Sequence, residues 1–230
     1  MKKYNAVISK IIQNTKTVRT LVIDLREPFD FEAGQFVNLM FKKNDKLLRR
    51  PYSIASEPNN SNFIELCIKL VEKGEVTPEI FNLKENDNVE IMGPLGLFKI
   101  TESKKEKLIF IGAGTGITPL RSMIKNLLQK ETSKELLLIL GIRYENEILF
   151  REEFEDLENK NPNFKFVPII SKPTENWLGR QKHVQNNLDL IDPLNSDVYL
   201  CGLSAMIEET TNKLIEKGMS KENIHCEKYA

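Results

Sequence analysis

Arg50-Pro51-Tyr52-Ser53-Ile54-Ala55-Ser56 places a fixed cation, an aromatic ring and two hydroxyls within one heptad. A guanidinium pairs bidentately with pyrophosphate oxygens. An aromatic ring covers an isoalloxazine face, and a hydroxyl hydrogen-bonds a ring nitrogen or a ribityl oxygen. These are the groups that a flavin nucleotide needs. On an extended strand Arg50 and Tyr52 share one face, while Ser53 points the other way or into a bend. The same heptad also fits an ordinary strand with one buried tyrosine, and the rest of the chain decides between the two.

A second constellation is Gly112-Ala113-Gly114-Thr115-Gly116-Ile117-Thr118-Pro119. It follows the buried-type strand 107–111 and precedes a helical pattern. Glycines let a backbone turn tightly and approach a ligand. A helix N-terminus offers N–H groups and partial positive charge to a pyrophosphate. The run departs from the G-x-G-x-x-G fingerprint at Ile117, and the fingerprint's acid at the end of the next strand is missing; that strand ends Leu140-Gly141-Ile142-Arg143. The alternative is a glycine-rich connection without a ligand.

The third constellation is Cys201-Gly202-Leu203-Ser204-Ala205-Met206, between a strand and a helix. In parallel α/β sheets ligands bind at the carboxyl ends of strands, and Cys201 stands at that level. A free cysteine is also commonly a small buried hydrophobe. Tyr229, after Cys226-Glu227-Lys228, reads equally as a packed or exposed terminal residue.

The elements that must carry these residues fall into two groups. The segments 4–12, 18–25, 36–41, 64–70 and 89–92 read as short strands separated by turn residues, with a turn at Gly34-Gln35 and a short helix over 78–83. Strands at that spacing predict a small antiparallel barrel. A charged run, Thr101-Glu102-Ser103-Lys104-Lys105-Glu106, reads as the linker. Beyond it strands over 107–111, 136–140, 164–170 and 198–201 alternate with helices over 119–130, 150–159 and 205–217. Thr118 is the expected N-cap and Pro119 the first-turn proline of the first of these helices. That alternation predicts a parallel sheet wrapped by helices. The expected fold is therefore two domains: an N-terminal antiparallel β-barrel over 1–101 and a C-terminal α/β parallel sheet over 102–230.

Composition excludes several classes. The 230 residues are 40% hydrophobic and 29% charged, with a formal net charge of zero. The balance of charge argues against nucleic acid as a partner. No apolar run approaches a membrane span, and the start lacks an apolar signal core, so a cytoplasmic protein without a membrane partner is expected. The three cysteines, Cys67, Cys201 and Cys226, are far apart. They form no C-x-x-C motif and cannot hold a four-cysteine iron–sulfur cluster; no metal site is expected.

Taken in order, these segments resemble the ferredoxin–NADP reductase superfamily over nearly the whole chain. Arg50-Pro51-Tyr52-Ser53 matches its R-x-Y-S flavin motif and Gly74-Glu75-Val76-Thr77 its following G-x-x-[ST] segment. Gly112–Pro119 matches its nicotinamide-nucleotide turn, and Cys201-Gly202-Leu203 its C-G-[LP]. Tyr52–Ser56, Leu66-Cys67-Ile68-Lys69, Gly114-Thr115-Gly116-Ile117 and Glu227-Lys228-Tyr229 are closest to the plant-type branch, although Ala230 extends the chain past the tyrosine.

The resemblance implies FAD between the domains, with Tyr52 on one ring face and Tyr229 on the other. It implies that Ser53 hydrogen-bonds near N5 and that Gly74, Val76 and Thr77 meet the flavin pyrophosphate. Cys201, with Gly202, Leu203 and Met206 nearby, would pack against nicotinamide, and Glu227 would assist charge or proton balance. A hydride would pass between NAD(P)H and FAD, and single electrons between FAD and a separate carrier. Ser171-Lys172 and Gln181-Lys182-His183 fall where the family meets the 2′-phosphate, which implies NADPH over NADH. The carrier expected first is ferredoxin or flavodoxin, met by the basic run Lys42, Lys43, Lys46, Arg49 and Arg50, with the acids of 152–158 in the other domain. The alternatives are the reductase component of an oxygenase, a free-flavin reductase and an electron-transfer subunit of a larger complex. The lack of an on-chain cluster weighs against the first of these.

Overall fold

Period-two burial sets the first half of the chain. The computed structural model describes residues 2–43, 46–58 and 62–229. Strands β1 (Lys2–Thr15), β2 (Val18–Asp24), β3 (Phe36–Lys43), β4 (Lys46–Ser53), β5 (Phe63–Lys69) and β6 (Asn88–Leu95) form one antiparallel sheet in the order β4-β3-β6-β1-β2-β5. Alternate side chains such as Tyr4, Ala6 and Ile8 of β1 and Val89 and Ile91 of β6 turn into a single core. The sheet curls until its two edges meet: Ile54, just past β4, forms an antiparallel bridge with Leu66 of β5. The Ala55 N–H donates to the Glu65 carbonyl at 2.8 Å beside it. This is the closure expected of the barrel. A short helix α1 (Thr77–Asn82) follows β5.

The second half has the composition of a sheet buried on both faces. Strands β7 (Lys107–Ala113), β8 (Glu135–Ile142), β9 (Phe164–Ile170), β10 (Arg180–Gln181), β11 (Ser196–Leu203) and β12 (Ile224–Tyr229) pair in parallel in the order β10-β9-β8-β7-β11-β12. Helices α2 (Ile117–Gln129), α3 (Arg151–Lys160) and α4 (Ser204–Glu216) connect them. Tyr199, Phe110 and Phe154 are among the largest fully buried side chains. Two compact units result: residues 1–100 with 121–126 of α2, and residues 101–120 with 127–230.

Two local readings are corrected. Thr118 is not an N-cap. The 3₁₀ turn Gly114–Gly116 runs directly into α2, so Thr118 lies inside the first helical turn. Its hydroxyl donates back to the Thr115 carbonyl at 2.7 Å. The segment 224–229 is a strand, β12, which the sequence pattern did not reveal.

Candidate functional site

Among the described residues of the first unit β4 is an edge strand, paired with β3 through Arg50↔Leu39, Pro51↔Asn38 and Tyr52↔Val37. Pro51 has no N–H to donate and suits such an edge. Tyr52 is half-buried against the barrel core. Burial pushes its hydroxyl up to about 12, with Arg50 opposing, so the ring stays neutral at physiological pH. Ser53 is buried, whereas Arg50 is exposed, one N–H donating to the Arg49 carbonyl at 2.9 Å. Lys42, Lys46 and Arg49 are exposed on the same hairpin, and Lys46 is ion-paired to Glu75. The side chain of Lys43 lies outside the described residues.

Cys67, Ile68 and Lys69 lie on β5, the other edge strand, with the Cys67 and Ile68 side chains buried. Their backbone, not their side chains, is what a ligand on that edge would meet. Gly74 and Val76 belong to the turn that leads into α1. The Thr77 hydroxyl accepts from the Val71 N–H at 2.8 Å and donates to the Val71 carbonyl at 3.2 Å, so it fastens that turn. An exposed guanidinium, a neutral half-buried ring, a buried hydroxyl and a sheet edge suit a flavin dinucleotide.

In the second unit the chain leaves β7 toward β8, β9 and β10 on one side and returns to β11 on the other. That reversal between β7 and β11 is a topological switch point, where parallel sheets bind ligands. The register puts Cys201 beside Gly112 on one side and Glu227 on the other, and Leu203 beside Tyr229. The Cys201 side chain hydrogen-bonds Tyr229, and burial, reinforced by Glu227, pushes its thiol well above the usual range. Cys201, Glu227 and Tyr229, which lie far apart from Gly112–Gly116 in sequence, thus gather with that turn at one sheet end.

Gly114 and Gly116 answer different needs in the turn. A Cβ on Gly116 would stand 2.2 Å from the Cys201 carbonyl oxygen. Gly114 has φ +54° and nothing within 4 Å of a Cβ position, so the turn leaves open space there. Ile117 and Thr118 are buried beneath it, and Thr115 and Pro119 complete the entry to α2.

A cleft of about 420 Å³ lies in the same unit, with Ala113, Arg143, Ser171, Lys182, His183, Gln185, Leu203, Met206 and Glu209 among its lining. Ser171, His183, Leu203 and Met206 were expected at a ligand site. Lys172 is not in the lining; its backbone N–H donates to the Arg143 carbonyl at 2.9 Å. Arg143 and Lys182 supply the cations instead. The one signal for Arg143 was its position at the carboxyl end of β8, next to β7. Glu209 is engaged by Lys213 at 3.0 Å and by the Gln185 amide at 2.8 Å. Gln185 Oε1 is buried without a hydrogen-bond partner among the described residues, an acceptor that an adenine amine would satisfy. Cations, a hydroxyl and this acceptor suit an adenine nucleotide.

Comparison with known proteins accords with this division. Residues 5–100 match the model of an oxidoreductase FAD-binding domain, and residues 110–212 that of an oxidoreductase NAD-binding domain. The chain is 32% identical to the phenol 2-monooxygenase reductase component DmpP of Pseudomonas sp. CF600, over 98% of this chain and 65% of that protein. It therefore spans about two thirds of that relative's length. It is 31% identical to ferredoxin–NADP reductase B of Sorangium cellulosum, over 87% of this chain and 86% of that one. Among solved structures, the Amycolatopsis cytochrome P450 reductase GcoB superposes with a TM-score of 0.91 at 28% identity, over 99% of this chain and 69% of that one. Among the described residues no helix is long and apolar enough to cross a membrane.

Proposed function

We propose that this chain, which belongs to the ferredoxin–NADP reductase superfamily, is an oxidoreductase that serves as the reductase component of an oxygenase. It takes a hydride from NAD(P)H and passes single electrons to a separate protein. The observation that carries the choice of acceptor is the likeness, over 98% of the chain, to a monooxygenase reductase component. That favours the oxygenase over the ferredoxin or flavodoxin expected first from sequence. The ferredoxin reading stays as the second one, since the Sorangium relative is matched over 86% of its length.

FAD, when bound, supplies the exchange between a hydride and single electrons. The protein's part divides between residues 1–101 and 102–230. In the first, Arg50 and the backbone of Gly74, Val76 and Thr77 would hold the flavin pyrophosphate, with Pro51 fixing the strand and Cys67–Lys69 offering backbone groups. Tyr52 would present its neutral ring and Ser53 a hydroxyl hydrogen bond. In the second, Gly114–Pro119 would hold the coenzyme pyrophosphate at the start of α2. Cys201, Gly202, Leu203 and Met206 would bound the nicotinamide pocket. Cys201 acts there as a neutral packing group, because its thiol does not ionise near neutral pH. Glu227, one strand over, would balance charge, and Tyr229 would cover a flavin face until nicotinamide displaces it.

Arg143, Ser171, Lys182 and His183 share one cleft, which supports NADPH over NADH. A 2′-phosphate gains charge-assisted hydrogen bonds there that a bare ribose does not. His183 would be a phosphate contact there, as the family likeness implies, whereas Lys172, outside that lining, would not. The test is anaerobic stopped-flow of the purified protein with NADPH and NADH, then with an oxygenase component, a ferredoxin and a flavodoxin. Fast reduction by coenzyme followed by fast transfer to the oxygenase supports the proposal. Transfer to ferredoxin or flavodoxin alone would replace it with the second reading.

A further inference from the structure

Arg121 is a charged side chain with 5% exposure, and nothing in the coenzyme sites uses it. It belongs to the part of α2 that counts with the first unit. One guanidinium nitrogen donates to the Ala55 carbonyl at 2.8 Å and pairs with Glu65 Oε2 at 2.5 Å. The neighbouring Ser122, fully buried, donates its hydroxyl to the Ser56 carbonyl at 2.7 Å. One turn on, Lys125 pairs with Glu57 at 2.8 Å. Residues 121, 122 and 125 therefore grip three consecutive residues, 55, 56 and 57.

Those residues directly follow Tyr52-Ser53-Ile54. Ile54 makes the bridge that closes the barrel, and Glu65 is the next residue to its partner Leu66. The Glu65 N–H donates to the Ser56 hydroxyl at 3.2 Å. Arg121 thus ties both sides of the closure, β4's exit and β5, to one guanidinium. A buried ion pair is a weak source of stability, since apolar residues of similar volume often do as well or better. What it supplies that apolar packing does not is direction: planar donors fix where a carbonyl and a carboxylate sit.

We propose that Arg121, through Glu65 and the Ala55 carbonyl, is a positioning residue that holds Tyr52 and Ser53 for the flavin. This rests on the flavin reading of Arg50–Ser53. The test compares the full chain with Arg121→Ala, Arg121→Lys and the double variant Arg121→Met/Glu65→Leu. Each apoprotein is titrated with FAD by flavin fluorescence, and each holoprotein is examined by visible circular dichroism and thermal unfolding.

The single Ala variant is expected to melt lower and to bind FAD about tenfold more weakly. The double variant is expected to recover the melting temperature but not the FAD affinity or the flavin dichroism. The Lys variant, which keeps the charge and loses the planar guanidinium, should bind FAD with intermediate affinity. A double variant with native FAD affinity and dichroism would overturn the proposal and reduce Arg121 to a stability role. Native affinity in both the Ala and Lys variants would overturn it as well. A wild-type chain that binds no FAD would instead overturn the flavin reading itself, and this proposal with it.

Discussion

Gly116→Ala should break the coenzyme half of the site while leaving the flavin half intact. The added methyl would meet the Cys201 carbonyl oxygen at 2.2 Å and its carbon at 2.7 Å. Both are backbone atoms of β11, with no flexible end to yield, so the turn must move by about 1 Å to restore ordinary contact. Overpacking costs typically 1–3 kcal/mol, and a backbone neighbour puts this case near the upper end. At roughly 2–4 °C per kcal/mol for a chain of this size, the melting temperature should fall by roughly 6–12 °C. A displacement of about 1 Å in a positioning element is enough to slow the reacting step by about 100-fold.

Gly114→Ala is the internal control. It forces a non-glycine residue to φ +54° but meets nothing within 4 Å. Only the left-handed backbone cost remains, about 1–2 kcal/mol, partly offset by the stiffer unfolded chain. The assay is differential scanning calorimetry with single-turnover reduction by NADPH, flavin content being measured on each protein. A Gly116→Ala protein that melts and reduces like the Gly114→Ala protein would refute the close-approach argument.

Arg50→Ala should lower FAD affinity tenfold or more, since a lost hydrogen bond to a charged group costs about 1.5–3 kcal/mol; purification with full flavin content would remove Arg50 from the site. Across pH 6–9 the single-turnover reduction rate should show no inflection from Tyr52 or Cys201. Both are raised by burial, so each keeps its proton over that window and ionises only above it. A step that Cys201→Ala abolishes would contradict this. Lys182→Ala and Arg143→Ala should weaken NADPH more than NADH, read from coenzyme titrations; equal effects would place the phosphate elsewhere. Electron delivery to the acceptor should fall as salt rises past about 0.1 M, where the Debye length is about 10 Å, and Lys42→Gln/Arg49→Gln should reproduce the loss at low salt. A rate indifferent to both would exclude the β3–β4 hairpin as the docking face.

The barrel was legible because its strands alternate. Ile64-Glu65-Leu66-Cys67-Ile68-Lys69 shows its inward and outward sides in the letters alone, and β5 covers it. The parallel sheet was legible because β7, β8 and β9 are short apolar runs separated by helical patterns. The strand β12 was not, because Ile224-His225-Cys226-Glu227-Lys228-Tyr229 sits at a sheet edge and mixes half-buried and exposed positions. Its membership depends on pairing with β11, which a local pattern cannot express. Thr118 misled for a related reason: a threonine before a proline has the form of an N-cap, but the 3₁₀ turn starts the helix earlier. Arg143 and Arg121 went unseen because a cation reads as a solvated surface residue until the fold reveals which carbonyls, carboxylates or cleft it faces.

The edge position of β4 has a meaning apart from the flavin. An unpaired strand edge is a template on which another chain can add itself. Here that edge carries two arginines and a proline, the residues that interrupt a ladder and repel a like-charged copy. Arg50 and Pro51 therefore guard the molecule against self-association as well as facing a phosphate. Their replacement by β-branched or aromatic residues would remove both safeguards together. Loss of solubility and loss of flavin would then be two results of one change at the rim of the barrel.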